Sequence, residues 1–219
     1  MNIKKSNGQT LHFQKNNIYD DYNRRIYALV GQNQAILDIG CATGKLLESL
    51  EKDKNCLVFG VEFDGKMADE AKKRCRNVFC LDIESCENLP FEKAFFDAII
   101  FADVLEHLKR PDLVLKKLTP YLKQKGSLLI SLPNMAFFSV RFGLLFGNFN
   151  YSEYGLLDKS HLRFFTLKTA RKLIEDCGFK ITQLEGYNQV RMRYFMLRPL
   201  GKIFKTFFAT DFIIKAVSK

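Results

Sequence analysis

The nine residues Leu37-Asp38-Ile39-Gly40-Cys41-Ala42-Thr43-Gly44-Lys45 constrain this chain more than any other stretch. The run from Ala35 to Ile39, apolar apart from Asp38, reads as a buried strand; a glycine-rich turn follows, and a helical pattern opens at Lys45. Glycine at Gly40 and Gly44 lets the backbone turn sharply and approach a ligand that a Cβ would block. A strand passing through such a turn into a helix aims backbone N–H groups at the carboxyl edge of a parallel sheet, where nucleotide-like ligands bind. The competing form is the dinucleotide fingerprint G-x-G-x-x-G, which needs glycines where Ala42 and Lys45 stand. Asp38, just before the turn, suits the cationic end of a ligand better than a pyrophosphate.

Two further acids close the next predicted strands. Glu62, in Gly60-Val61-Glu62-Phe63-Asp64, lies about 20 residues beyond the turn, the spacing at which a carboxylate grips ribose hydroxyls. Asp82 ends the third strand in Leu81-Asp82-Ile83, and Asp64 is placed to cap the helix that begins at Gly65. This ordered set resembles the class I S-adenosylmethionine (SAM) methyltransferases, whose motif I reads D/E-x-G-x-G-x-G; Ala42 stands in place of the middle glycine. The resemblance implies SAM as cofactor, with Asp38, Gly40, Ala42 and Gly44 forming the turn around it. It further implies that Glu62 and Phe63 lie at the ribose, that Asp82 and Ile83 serve the adenine ring, and that Ala102 closes the set at the fourth strand.

Strand and helix patterns alternate along the chain, the signature of a parallel α/β sheet, with no internal repeat. Strands are expected at 35–39, 56–63, 78–81, 96–102, 127–132, 180–185 and 212–217, and helices at 19–30, 45–52, 65–74, 111–122 and 167–177. Pro111 suits a first helical turn, Thr166 can cap the helix after it, and Gly178 can stop that helix after Cys177. The expected fold is therefore a Rossmann-like, seven-stranded, mostly parallel sheet with helices on both faces, one domain over residues 1–219. The likeness runs from about residue 19 to residue 217. Residues 134–165 interrupt the rhythm after the fifth strand. There Phe138, Phe142, Leu145 and Phe149 recur at helical spacing beside a second stripe of Phe137, Val140 and Leu144, which reads as a cap over the substrate.

The fourth strand runs into Asp103-Val104-Leu105-Glu106-His107-Leu108, similar to the motif IV region of small-molecule methyltransferases. Methyl transfer to a hydroxyl needs an aligned nucleophile and a base, and an imidazole, with an ordinary pKa of about 6.5, serves as a base near neutral pH. His107 is the expected base. His161 is the second expected catalytic residue, in Asp158-Lys159-Ser160-His161-Leu162-Arg163-Phe164-Phe165-Thr166, a block similar to one branch of the superfamily. That branch includes enzymes of bacterial surface-sugar pathways and, more loosely, quinone-ring O-methyltransferases and methionine-biosynthesis-associated proteins. Tyr19, Tyr22 and Arg25 fall on the helix before the first strand, where the family often closes over its cofactor.

The resulting expectation is a SAM-dependent methyltransferase acting on an oxygen of a small sugar, lipid-linked or phenolic acceptor. The alternatives are a nucleic-acid methyltransferase and a SAM-binding partner protein without catalysis. The Asn/Asp-Pro-Pro-aromatic sequence common in base-amine methyltransferases is absent, which argues against nucleic acid even though the net charge is +10. Basic residues gather from Arg191 to Lys219, and with the aromatic insertion they leave room for peripheral membrane contact. Six cysteines without a C-x-x-C pair, three of them (Cys41, Cys56, Cys80) on or beside expected buried strands, suit reduced thiols. Their spacing gives no zinc pattern, so no metal site is expected. Met1-Asn2-Ile3-Lys4-Lys5 runs into polar sequence, and no stretch reaches the roughly 20 apolar residues of a membrane span. The expected location is cytoplasmic. The sequence does not indicate an oligomeric state.

Overall fold

The computed structural model of the chain describes residues 22–187 and 205–218. Its strands are β1 (Ala35–Ile39), β2 (Leu57–Glu62), β3 (Val78–Cys80), β4 (Phe96–Ala102), β5 (Leu122–Pro133), β6 (Phe179–Tyr187) and β7 (Asp211–Ser218). They form one sheet in the order β3-β2-β1-β4-β5-β7-β6. The first five pair in parallel, whereas β7 runs antiparallel to both β5 and β6. The helices are α1 (Arg24–Leu29), α2 (Lys45–Lys54), α3 (Gly65–Lys72), α4 (Pro111–Leu118), α5 (Phe138–Leu145), α6 (Leu167–Asp176) and α7 (Lys205–Phe208).

Alternation along β1 and β4 divides the core in two. Ile36, Ala98 and Ile100 pack with Ile26 of α1, Leu46, Leu47 and Leu50 of α2, and Ala68 and Ala71 of α3. Leu37, Ile39, Ile99 and Phe101 pack on the other face with Val114, Leu115 and Leu118 of α4 and with Ala170 and Ile174 of α6. Both faces of the sheet are thus covered, which is why its central strands read as nearly continuous apolar runs.

The expected boundaries shift where local chemistry intervenes. Helix α1 starts at Arg24 because the Asn23 side chain caps it, accepting from the N–H groups of Arg25 and Ile26. Position 19 of the expected helix, and the histidine at position 12, lie outside the described residues. Helix α4 gives way at Leu118 to a 3-10 turn, Thr119–Tyr121, that contains Pro120. Strand β5 then begins at Leu122, earlier than expected, because it extends alongside β4 from Phe96. Asp64 and Thr166 cap α3 and α6 as expected, and Gly178 takes φ +91 after α6.

Two expectations need correction. Cys80, though on a strand, is exposed, because β3 is the sheet's edge. The helical spacing that runs on to Phe149 is carried by a helix only as far as Leu145, after which Gly147 turns the chain with φ +74. Of the two apolar stripes, Phe137 and Val140 are buried while Phe142, Leu144 and Leu145 are exposed, as is the neighbouring Phe146. No helix among the described residues is long and apolar enough to cross a membrane.

Candidate functional site

The turn after β1 is built from three left-handed residues, Gly40 (φ +73), Ala42 (φ +47) and Gly44 (φ +79). At Gly40 the missing Cβ matters twice, because a methyl there would come within 2.6 Å of Val104 Cγ2. The turn is fastened to β2: Gly40 and Cys41 donate their N–H groups to the Val61 carbonyl at 2.7 and 3.1 Å. Ala42 N–H donates to Glu62 Oε2 at 2.8 Å, and Asp64 N–H donates to Glu62 Oε1 at 2.9 Å. Each Glu62 oxygen therefore holds one backbone proton and keeps a lone pair for a hydroxyl. This arrangement follows from the parallel register, which sets the ends of β1 and β2 side by side (Ile39 opposite Val61).

These elements surround a cavity of about 720 Å³, within the range of small-molecule sites. Asp38, Gly40, Ala42, Glu62, Phe63, Asp82, Ile83, Ala102 and His107 all line it, so the three strand-ending acids converge on one space. Gly44 does not line the cavity; it packs against α3, where a Cβ would meet Ala71 Cα at 3.0 Å. His161 also stands outside the lining, beside His107, with the ring centroids 4.9 Å apart in an edge-to-face contact. Phe63 is 75% exposed, so its ring is free to lie against a ligand. From the segment 134–165, Leu162 is the residue that reaches the cavity wall.

The electrostatics point to a cationic ligand. Asp38 is 2% exposed, and its Oδ1 has no hydrogen-bond partner. Burial, and after it the Glu62 charge, push the Asp38 carboxyl up to about 8. A buried acid without a partner is costly, and a positive group in the cavity would relieve it. Asp82 is held below the usual carboxylate range: burial acts to raise it, but hydrogen bonds from the Glu84 amide and from Ser85 prevail. The donor set thus fits the chemistry of SAM, which combines a cationic end, ribose hydroxyls and an adenine.

Several features of the site could not be read from the sequence. Asp103 rims the cavity as an exposed residue with φ +56, yet its carboxylate turns onto the buried Ser131 hydroxyl, which donates at 2.7 Å. Desolvation there raises the Asp103 carboxyl, against the opposing pull of Ser131 and His107. Glu84 accepts from the N–H groups of Lys109 and Arg110 at 3.1 and 2.8 Å, fixing the loop beyond His107. Glu106 points inward, 1% exposed, with no partner for Oε2. Burial, then the Asp103 charge, raises its carboxyl well above the ordinary range. His161 is lowered by burial first and by the His107 charge second, which favours its neutral form. Glu106, His107 and His161 each place one donor atom within 4.8 Å of the others, the one such group among the described residues. The raised Glu106 carboxyl disfavours the charged form that a cation there would need.

Comparison with known proteins agrees with this geometry. Residues 37–130 match the family model described as a methyltransferase domain. The matched stretch contains the turn after β1 and all three strand-ending acids, Asp38, Glu62 and Asp82. Among its relatives is the mitochondrial ubiquinone biosynthesis O-methyltransferase of Dictyostelium discoideum, 24% identical over 69% of this chain and 51% of that protein. The chain thus spans about half the length of that relative. The ubiquinone biosynthesis O-methyltransferase of Coxiella burnetii is 25% identical over 76% of this chain and 73% of its own. A crystal structure of a SAM-dependent methyltransferase from Archaeoglobus fulgidus shares the fold, with a TM-score of 0.65 at 21% identity over 89% of this chain and 90% of that one.

Proposed function

We propose that this protein methylates an oxygen of a small-molecule acceptor, with a phenolic hydroxyl favoured over a sugar or lipid-linked one, and that His107 is the base. The observation that carries the reading is the buried, unpartnered Asp38 oxygen in the same cavity as Glu62, Asp82 and His107. When bound, SAM supplies a methyl group on a sulfonium, an electrophile with a neutral leaving group. The chain's own task is to hold that group, align the acceptor oxygen in line with it, and take the acceptor's proton. His107 borders the cavity and offers a ring nitrogen for the proton, while Leu162 gives the acceptor an apolar wall. The phenolic preference is supported by the relatives named for ubiquinone biosynthesis. Whether residues 134–165 act as a substrate cap belongs to the same proposal, supported by Leu162 at the cavity.

The test has two stages. Calorimetric titration with SAM should show binding by the wild type and weakening of at least about tenfold in Asp38→Ala and Glu62→Ala. Unchanged binding in both variants removes these acids from the site. Release of S-adenosylhomocysteine should then be followed with a panel of catechols, sugars and amines, and His107→Gln should lower turnover by about 100-fold or more. Cofactor binding without turnover on any acceptor would favour the partner-protein reading, and turnover on amines alone would overturn the choice of oxygen.

A further inference from the structure

The segment that carries the second histidine is fastened to the turn that carries the first. Leu162 and Arg163 donate their backbone N–H groups to the Glu106 carbonyl at 2.8 and 2.9 Å. The Arg163 guanidinium reaches past them, with Nε donating to the Lys109 carbonyl at 3.1 Å. These bonds press Ser160 against the His107 ring. The Ser160 carbonyl oxygen lies 3.2 Å from Nδ1, and the Ser160 hydroxyl lies 3.3 Å from the same nitrogen.

The direction of each bond follows from what each atom can do. A carbonyl oxygen only accepts. The hydroxyl proton is committed to Asp158 Oδ1 at 2.7 Å, so toward the ring the hydroxyl oxygen accepts as well. Both oxygens therefore require hydrogen on Nδ1, and Nε2 is left with its lone pair. Asp158 also accepts from the Ser160 N–H at 2.8 Å, so one carboxylate oxygen holds both the backbone and the hydroxyl of Ser160 in place. An imidazole free in water prefers the opposite tautomer, with hydrogen on Nε2.

We infer that Asp158 and Ser160 are positioning residues that lock His107 in the Nδ1–H tautomer, so that its basic nitrogen is Nε2. The inference rests on the reading of His107 as the base and specifies how the base is prepared. It also separates the two histidines: the nitrogen that Ser160 engages in His107, Nδ1, is buried without a hydrogen-bond partner in His161, whose ring is hydrogen-bonded instead at the Leu156 backbone. The other ionisable groups around the ring, Asp103, Glu106 and His161, alter its charge environment without contacting Nδ1.

The tautomer can be read directly, without any methyl acceptor. Long-range proton–nitrogen correlation spectra of the full chain, labelled with nitrogen-15 and held near pH 8, distinguish the two ring nitrogens; His107→Gln and His161→Gln assign the signals. The wild type should show His107 with hydrogen on Nδ1. In Asp158→Ala, the ratio of the Nδ1–H to the Nε2–H form should fall roughly tenfold, the equivalent of losing about one hydrogen bond. Asp158→Asn keeps an amide oxygen that can accept from Ser160 and should retain the wild-type tautomer. If Asp158→Ala does not fold, Ser160→Ala gives the same readout with a smaller fall, because the carbonyl remains. A wild-type ring carrying hydrogen on Nε2, or an unchanged ratio in the alanine variant that folds, would overturn the inference. Loss of turnover in His107→Gln tests the base assignment separately.

Discussion

Ala42 donates its backbone N–H to Glu62 Oε2 at 2.8 Å while holding φ at +47, so a non-glycine residue supports the Glu62 carboxylate from a left-handed conformation. The sequence marks Ala42 as a departure from a glycine pattern, and that departure has a conformational cost in addition to the bulk of its methyl group. An L-residue in this region costs roughly 1–2 kcal/mol, against about 0.5–1 kcal/mol of extra chain entropy that glycine loses on folding. Ala42→Gly should therefore raise stability by about 0.5–1 kcal/mol, or a few degrees in melting temperature. The amide donated to Glu62 is backbone and survives the change, so SAM affinity should not fall. A lower melting temperature would show that the turn tolerates alanine without strain.

The raised Asp38 makes stability depend on pH in a defined direction. An aspartate in the unfolded chain loses its proton near pH 4, whereas buried Asp38 keeps it to about pH 8. Between those values the folded state binds more protons than the unfolded state, so this group lowers stability as pH rises, and its effect levels off above pH 8. Asp38→Asn removes the titration. In the absence of ligand, its melting temperature relative to wild type should climb from pH 5 to 8, by the equivalent of roughly 1–3 kcal/mol. The same variant should bind SAM at least about tenfold more weakly, trading function for stability. Parallel melting curves for the two proteins across this range would contradict the assignment.

The legible parts of this molecule are those fixed by short stretches of chain. Strands β1 and β4 begin and end where expected, because strands covered on both faces must be apolar throughout. Asp38, Glu62 and Asp82 could be named because each sits at or just beyond the end of a parallel strand, and parallel strand ends share one edge. Contacts between distant segments were not legible. Asp103 and Ser131 are joined only by the pairing of β4 with β5, and Gly44 proved to serve α3 because Ala71 crosses behind it. The insertion was legible only in part: apolar spacing identifies a helix but does not say which face finds a neighbour, and Leu144 and Leu145 are exposed while Phe137 and Val140 are buried.

Gly60 shows the same limit from the other side. It lies within β2, where glycine ordinarily weakens a strand, and nothing near it in sequence demands it. The reason arrives from the turn after β1: a Cβ at Gly60 would come within 2.6 Å of Cys41 Sγ and 2.7 Å of Leu47 Cδ1. Gly60→Ala should displace the turn from the strand and cost about 1–3 kcal/mol. Pairing it with Cys41→Ala, which removes the nearer sulfur, should recover part of the loss, and denaturation midpoints would measure both. A neutral Gly60→Ala would mean that the turn sits more loosely on β2 than these distances allow.

The end of α5 gives the opposite expectation. Leu145 and Phe146 are 73% and 75% exposed, so their side chains add little to the folded core. Leu145→Ser with Phe146→Ser should change stability by no more than about 0.5 kcal/mol for each substitution, the range of ordinary surface changes. Core leucines such as Leu47 and Leu115, both fully buried, should instead cost about 2–5 kcal/mol when cut to alanine. Chemical denaturation of the three variants makes the comparison, and SAM titration of the double variant should match the wild type because neither residue lines the cavity. A large loss of stability in the double variant would place this corner of the insertion in the packed interior.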